Sequence, residues 1–192
     1  DASGVAALIE LAYLLGDLDL SQTVELVAFT LEEPPFYNSE EMGSYIHAAS
    51  LQEQGIPVEL MITLDEIGYY SDEPGSQRYP FPLSLFYPDT ANFIGFVGNS
   101  RYGRLVRQVV AAFRNCEPFP SEGAALPEIV SSIGRSDHWS FWQEGYPALM
   151  VTDTAPFRYP YYHTPEDTVD KIDFEKLARV VRGLKGVVTA LV

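Results

Sequence analysis

VELVAFTLEEPPFYNSEEMGSYIHAASLQEQGIPVELMITL, residues 24–64, decides the fold. Val24 to Thr30 and Val58 to Leu64 are short, mostly apolar, β-prone runs, the pattern of strands covered on both faces. Ser39 to Gln54 between them reads as a helix. This β-α-β order predicts an α/β layered fold with helices on both sides of a sheet. The Glu32-Glu33 pair, wedged between an apolar run and Pro34-Pro35, is the odd feature. Neighbouring side chains on a regular strand point to opposite faces, so two adjacent carboxylates reach one place only if the strand stops there. Pro34 supplies no N–H for a ladder and restricts Glu33 to extended conformations, which predicts a strand end.

The rest of the chain extends the same architecture. Asp1 and Ser3 are capping residues, and Val5, Leu8, Ile9, Ala12 and Leu15 follow at helical spacing. Arg101 to Asn115 carries Leu105, Val106, Val109, Val110 and Phe113 on one stripe, a surface helix with a core face. Ser136 to Trp142 reads as a short capped helix, Gly145 to Thr152 as a third buried strand, and Asp173 as the cap of a final helix running toward Val192. Asp72 to Asn99 holds four prolines among many aromatics and reads as a long loop or lid. The prediction is one domain over residues 1–192: a three-layer α/β/α sandwich with a mixed, mostly parallel sheet.

Composition narrows the function. The chain has 192 residues, 46% of them hydrophobic and 20% charged, and 12 Lys+Arg against 27 Asp+Glu give a formal charge of −15. Such a charge repels nucleic-acid backbones and anionic membrane surfaces, so nucleic acid is excluded as a partner. No apolar run reaches the roughly 18 residues a membrane-spanning helix needs. Cys116 stands alone, which rules out an internal disulfide. Neither a phosphate-binding loop nor a dinucleotide fingerprint is present.

Chemistry is expected beyond the carboxyl ends of the strands. There the first predicted strand runs into Glu32-Glu33, the second into Asp65-Glu66 and the third into Asp153, ten residues before His163. Each acid taken singly reads as a solvated turn residue. Together, carboxylates and an imidazole brought to one sheet edge form the oxygen and nitrogen donor set that suits zinc and related divalent ions. One member of the Glu pair then binds metal while its neighbour takes a proton from metal-bound water.

At this point the segments DASGVAALIELA, FTLEEPP followed by GSY, LDEIG, SDHWSFWQEGYPALMVTDT and YYHTPEDT, spread over nearly the whole chain, resemble the co-catalytic zinc aminopeptidases of the M28 type. The resemblance implies that Glu32 is the general base, Glu33 and His163 ligands of one zinc ion and Asp65 a ligand of a second. It implies a peptide substrate with a free N-terminus. The family's bridging Asp and a further His lie upstream of the position of Asp1, so the chain is expected to lack its N-terminal part, to bind zinc poorly and to be weakly active or inactive as given. With that part missing, a secreted and a cytoplasmic location are equally compatible.

Five further residues are candidates for the substrate pocket or for supporting the site. Asp137 and His138 fall in the family's Ser-Asp-His segment, where a role near the site rather than ligation is expected; Ser136, Asp137 and His138 as neighbours on one short helix do not make a nucleophile triad. Asp167 either caps its segment or orients the imidazole of His163. Arg135 either donates to a substrate carbonyl or stands as an exposed arginine beside Gly134, and Tyr162 either builds a pocket wall or serves the core. Two alternatives share this pattern: a glutaminyl-cyclase-like zinc enzyme, and a non-catalytic peptidase-like binding domain.

Overall fold

The computed structural model describes residues 1–192 except the side chain of Ser131. Six helices and four strands build the domain: α1 (Ala2–Leu15), α2 (Gly43–Glu53), β1 (Met61–Leu64), β2 (Ile94–Asn99), α3 (Gly103–Cys116), β3 (Ser121–Leu126), α4 (His138–Gln143), β4 (Ala148–Thr152), α5 (Ala155–Arg158) and α6 (Phe174–Leu191). The sheet order is β1-β4-β2-β3. β1 runs parallel to β4, and β2 parallel to β3, while β4 and β2 pair antiparallel, so the sheet is mixed with two of three pairings parallel.

Strand alternation sorts side chains into two cores. Ile62, Leu64, Ile94, Phe96, Leu149 and Val151 face the layer of α1, α3 and α6. Met61, Val97 and Ala148 face the opposite layer, with Ala48 of α2 and Phe141 and Trp142 of α4. Period-2 alternation with both faces apolar makes a sheet buried on both sides. In the larger core Phe96 and Phe113, both fully buried, meet edge to face with ring centroids 5.1 Å apart. Burying each such ring contributes up to about 3 kcal/mol.

The helices expected from 3.6-residue periodicity are present, with their caps. Asp1 accepts from the backbone N–H groups of Ser3 at 3.1 Å and Gly4 at 3.0 Å, and Asp173 accepts from Lys176 N–H at 2.9 Å. No helix is long and apolar enough to cross a membrane among the described residues.

Two expectations are corrected. Residues 24–30 are not a laddered strand: the segment carries no strand assignment, and β1 stands at the edge of the sheet with β4 as its one partner. Val27, Ala28 and Phe29 instead line the same cleft as Met61 to Leu64, with no strand pairing between the two segments. The supposed loop over residues 72–99 ends in β2, which is central in the sheet. Gly95 and Gly98 dilute its β signal, while Ile94 and Phe96 are fully buried.

Candidate active site

A cleft of about 780 Å3 lies where the C-terminal ends of β1 and β4 meet the N-terminus of α1. Glu32, Glu33, Asp65, Arg135, Asp137, Tyr162, His163 and Asp167 all line it, eight of the nine residues singled out from sequence. His138 does not. It is fully buried, with its ring edge-on to Trp142 at 4.6 Å and Nε2 2.5 Å from the Ile133 carbonyl oxygen. Burial holds its imidazole down at about 4, so it stays neutral as a wall residue behind the cleft.

How adjacent acids come to share one cavity is visible in the backbone. Leu31, Asn38, Glu66, Thr154 and His163 are the non-glycine residues at positive φ among those described, with φ of 61°, 53°, 54°, 63° and 55°. Four of them line this cleft and Thr154 lines the pocket beside it. A left-handed residue breaks strand alternation, so Leu31 precedes the Glu pair as the turning point, and Glu66 swings in beside Asp65. Such conformations cost on the order of 1–3 kcal/mol each and persist where surrounding structure imposes them.

The first turn of α1 buttresses this edge. Asp1 Oδ2 accepts from Glu66 N–H at 3.2 Å and Ser3 Oγ from Ile67 N–H at 3.1 Å. Gly4 permits the approach, because a Cβ there would stand 2.7 Å from the Leu64 carbonyl oxygen. Asp153, 1% exposed, ties β4 to the same corner: its Oδ2 accepts from Tyr69 N–H at 2.8 Å, and its backbone N–H donates to the Glu66 carbonyl at 2.6 Å.

The cleft is short of positive charge. Burial, reinforced by Asp65, Asp137 and Glu33, pushes the Glu32 carboxyl up to about 8. Burial, with Asp65, Asp153 and Glu33, pushes Glu66 up to about 9. Asp65 rises to about 6, again chiefly by burial, against a hydrogen bond from Ser136. Asp153 rises to about 7 for the same first reason, opposed by Arg158. Oδ1 of Asp137 and Oδ1 of Asp153 are buried without a hydrogen-bond partner. Carboxylates crowded and desolvated in this way are relieved by a cation.

The donor set fits zinc in type and, at one point, in spacing. His163 Nε2 stands 3.4 Å from Glu33 Oε1. Two donors each about 2.0–2.1 Å from a tetrahedral zinc ion stand roughly 3.3–3.4 Å apart. Among the described residues, however, no group of three or more His, Cys, Asp or Glu side chains forms a ready cation cage. The imidazole of His163 stacks on Tyr162, centroids 4.0 Å apart. Asp167 does not hold that imidazole; its Oδ1 accepts from Tyr159 Oη at 2.6 Å. The sequence reading took Asp1 only as a helix cap, and it brought Glu66 and Asp153 to the sheet edge as strand-end acids without giving either an individual role.

Comparison with known proteins bears on the family and the fold. The model of peptidase family M28 matches residues 1–188. The uncharacterized protein YfbL of Escherichia coli (strain K12) is 47% identical over 185 residues, covering 96% of this chain and 56% of that protein. The probable leucine aminopeptidase 1 of Trichophyton verrucosum is 27% identical, covering 100% of this chain and 48% of its own length. The chain thus spans about half the length of the relatives it matches. Among solved structures, the aminopeptidase from Aneurinibacillus sp. strain AM-1 superposes with a TM-score of 0.68 at 30% identity, over 98% of this chain and 38% of that one. Legionella pneumophila LapA superposes with a TM-score of 0.74 at 21% identity, over 100% of this chain and 47% of its own, a likeness of fold. With the family pattern running through residues 1–188 on this fold, the chain belongs to peptidase family M28.

Proposed function

We propose that this chain carries most of the active cleft of a zinc-dependent aminopeptidase, with Glu33, Asp65 and His163 as metal ligands and Glu32 as general base. The observation that supports it most is the convergence of these four residues, from three chain segments far apart in sequence, on one cleft. When bound there, zinc supplies Lewis acidity toward the scissile carbonyl and lowers the pKa of a coordinated water toward 7.

The protein's own residues do the remainder. Glu32 in its ionised form takes a proton from the attacking water and passes it to the leaving amine, and the burial that raises its carboxyl to about 8 makes it a stronger base for that transfer. Glu66 and Asp153 add carboxyl oxygens to the same cavity, acceptors that suit the α-ammonium of a peptide N-terminus. That preference for a free amine is what makes the reading an exopeptidase. Arg135 and the Tyr162 hydroxyl, both in the cleft wall, are donors for the carbonyl oxygen as it gains negative charge.

The test is Glu32→Gln in the intact, zinc-loaded protein. Turnover of aminoacyl p-nitroanilides is expected to fall by roughly 100- to 10,000-fold, with zinc content by elemental analysis unchanged. Retained turnover assigns the base elsewhere, and turnover of N-acetylated but not free substrates defeats the aminopeptidase reading.

A further inference from the structure

A second, smaller pocket opens off the main cleft. It encloses about 110 Å3 and shares Asp65, Glu66, Arg135 and Tyr162 with the cleft. That volume equals roughly four liquid waters, room for an unbranched side chain. Its wall is mostly apolar and aromatic, with Tyr79, Leu83, Tyr87, Phe93 and Met150, yet Glu122 stands among these residues.

The sheet register explains how the carboxylate gets there. Gly95 of β2 lies between Glu122 of β3 and Thr152 of β4. Residues side by side across a sheet share a face, so a glycine in the middle leaves the floor open beside Glu122. A Cβ at Gly95 would come within 3.2 Å of the Thr152 carbonyl oxygen and 3.5 Å of Thr154 Cγ2. Among the described residues no salt bridge engages Glu122. Tyr79 Oη, in the same wall, is buried without a hydrogen-bond partner. A half-buried carboxylate without a cation and an unpaired phenol oxygen in one narrow pocket are both acceptors.

Two arginines stand near this pocket, neither in a salt bridge with Glu122 among the described residues, and Nη2 of Arg158 is buried without a partner. Arg158 packs behind the wall with its guanidinium over the Phe93 ring, donating to Gln77 Oε1 and to the carbonyls of Ala91 and Phe93. Arg135, on the shared wall, is exposed to solvent.

Resting on the aminopeptidase reading, we propose that this pocket receives the side chain of the substrate's first residue and that Glu122 selects lysine and arginine there. The methylenes lie along the aromatic wall while the cationic end reaches Glu122 and Tyr79 Oη. The formal charge of −15 draws cationic peptides toward the same cleft.

The experiment compares kcat/KM of the intact, zinc-loaded protein for lysyl and norleucyl p-nitroanilides, which share an unbranched four-carbon side chain that lysine extends with a terminal ammonium. Lysine is expected to be favoured by roughly 10- to 100-fold, the range of a charge-assisted hydrogen bond. Glu122→Gln is expected to remove most of that ratio, and Glu122→Lys to invert it. Because both substrates read the same enzyme preparation, a partial loss of folded protein leaves the ratio unmoved. Equal or better turnover of norleucine in the wild type, or a ratio untouched by both variants, overturns the selectivity while leaving the aminopeptidase reading intact. Failure to cleave any aminoacyl substrate overturns that reading, and the selectivity with it.

Discussion

Helix α6 rests on α3 through a glycine, and Gly183→Ala tests that contact. A Cβ built at Gly183 would lie 2.2, 2.5 and 2.7 Å from Cε2, Cδ2 and Cζ of Phe113. Phe113 is fully buried and its ring is held edge-on against Phe96, so it has no room to swing away. Replacing glycine by alanine in a helix interior gains about 1 kcal/mol of propensity. Overpacking a core costs about 1–3 kcal/mol, and three ring atoms inside van der Waals contact put this case at the upper end. The net expectation is a loss of about 2 kcal/mol, which lowers Tm by roughly 4–8 °C for a chain of this size. Circular dichroism melts of the wild type, Gly183→Ala, Phe113→Leu and the double variant give a thermodynamic cycle. The double variant is expected to recover at least about 1 kcal/mol relative to the sum of the single ones. A Gly183→Ala protein as stable as the wild type, or strict additivity, would refute the close packing of α6 on α3.

Two further outcomes concern the cleft. The folded-state carboxyls of Glu32 and Glu66, at about 8 and about 9, stand above their ordinary 4.5; the native state therefore binds more protons, and the stability this gives is complete below pH about 4.5 and lost as pH rises through 8 to 9. Tm of the metal-free chain measured from pH 5 to 9 is expected to decline, and to decline less in Glu66→Gln or with saturating Zn2+; a flat or rising wild-type profile contradicts the crowding of these acids. Competition with a chromophoric chelator is expected to show Zn2+ binding weakened by roughly 10-fold or more in His163→Ala, whose Nε2 stands 3.4 Å from Glu33 Oε1; unchanged affinity would overturn the pairing of these two donors.

How much of this was legible depended on which physical signal each element carries. α1, α3 and α6 announce themselves by helical periodicity and by the caps Asp1 and Asp173, because a helix facing one core must repeat its apolar residues every three to four positions. β2 and β3 were hidden. Gly95 and Gly98 interrupt the first, and Ser121 to Leu126 contains no β-branched residue, so the pairing that makes them strands is tertiary. Val24 to Thr30 erred in the other direction: its residues suit a strand, but a strand requires a hydrogen-bonded neighbour, which residue type does not encode.

In the site, the acids at strand ends were readable because a charge after an apolar run is conspicuous. What the sequence concealed was direction. Asp65 and Glu66 ought to face opposite ways, and they share the cleft because Glu66 adopts a left-handed conformation that no propensity indicates for glutamate. The Glu122 pocket was hidden for a related reason, since its opening depends on the absence of a side chain at Gly95, which only the sheet register places beside Glu122.

The two walls of the cleft are fastened to the molecule in different ways. Asp65 continues β1, whose backbone is laddered to β4, and its own N–H donates to Val151 at 2.9 Å. Glu32 and Glu33 ride on a segment outside that ladder, secured near its end by the bond from Gly43 N–H to the Thr30 carbonyl at 2.9 Å. Hydrogen exchange should accordingly grade across the site, slow at residues 149–151 and fast at residues 24–30. An ion arriving here meets one preset jaw and one that must be drawn into register. Part of its affinity goes into ordering the Glu32-Glu33 arm, and whatever splints that arm in place tightens the grip without touching the metal.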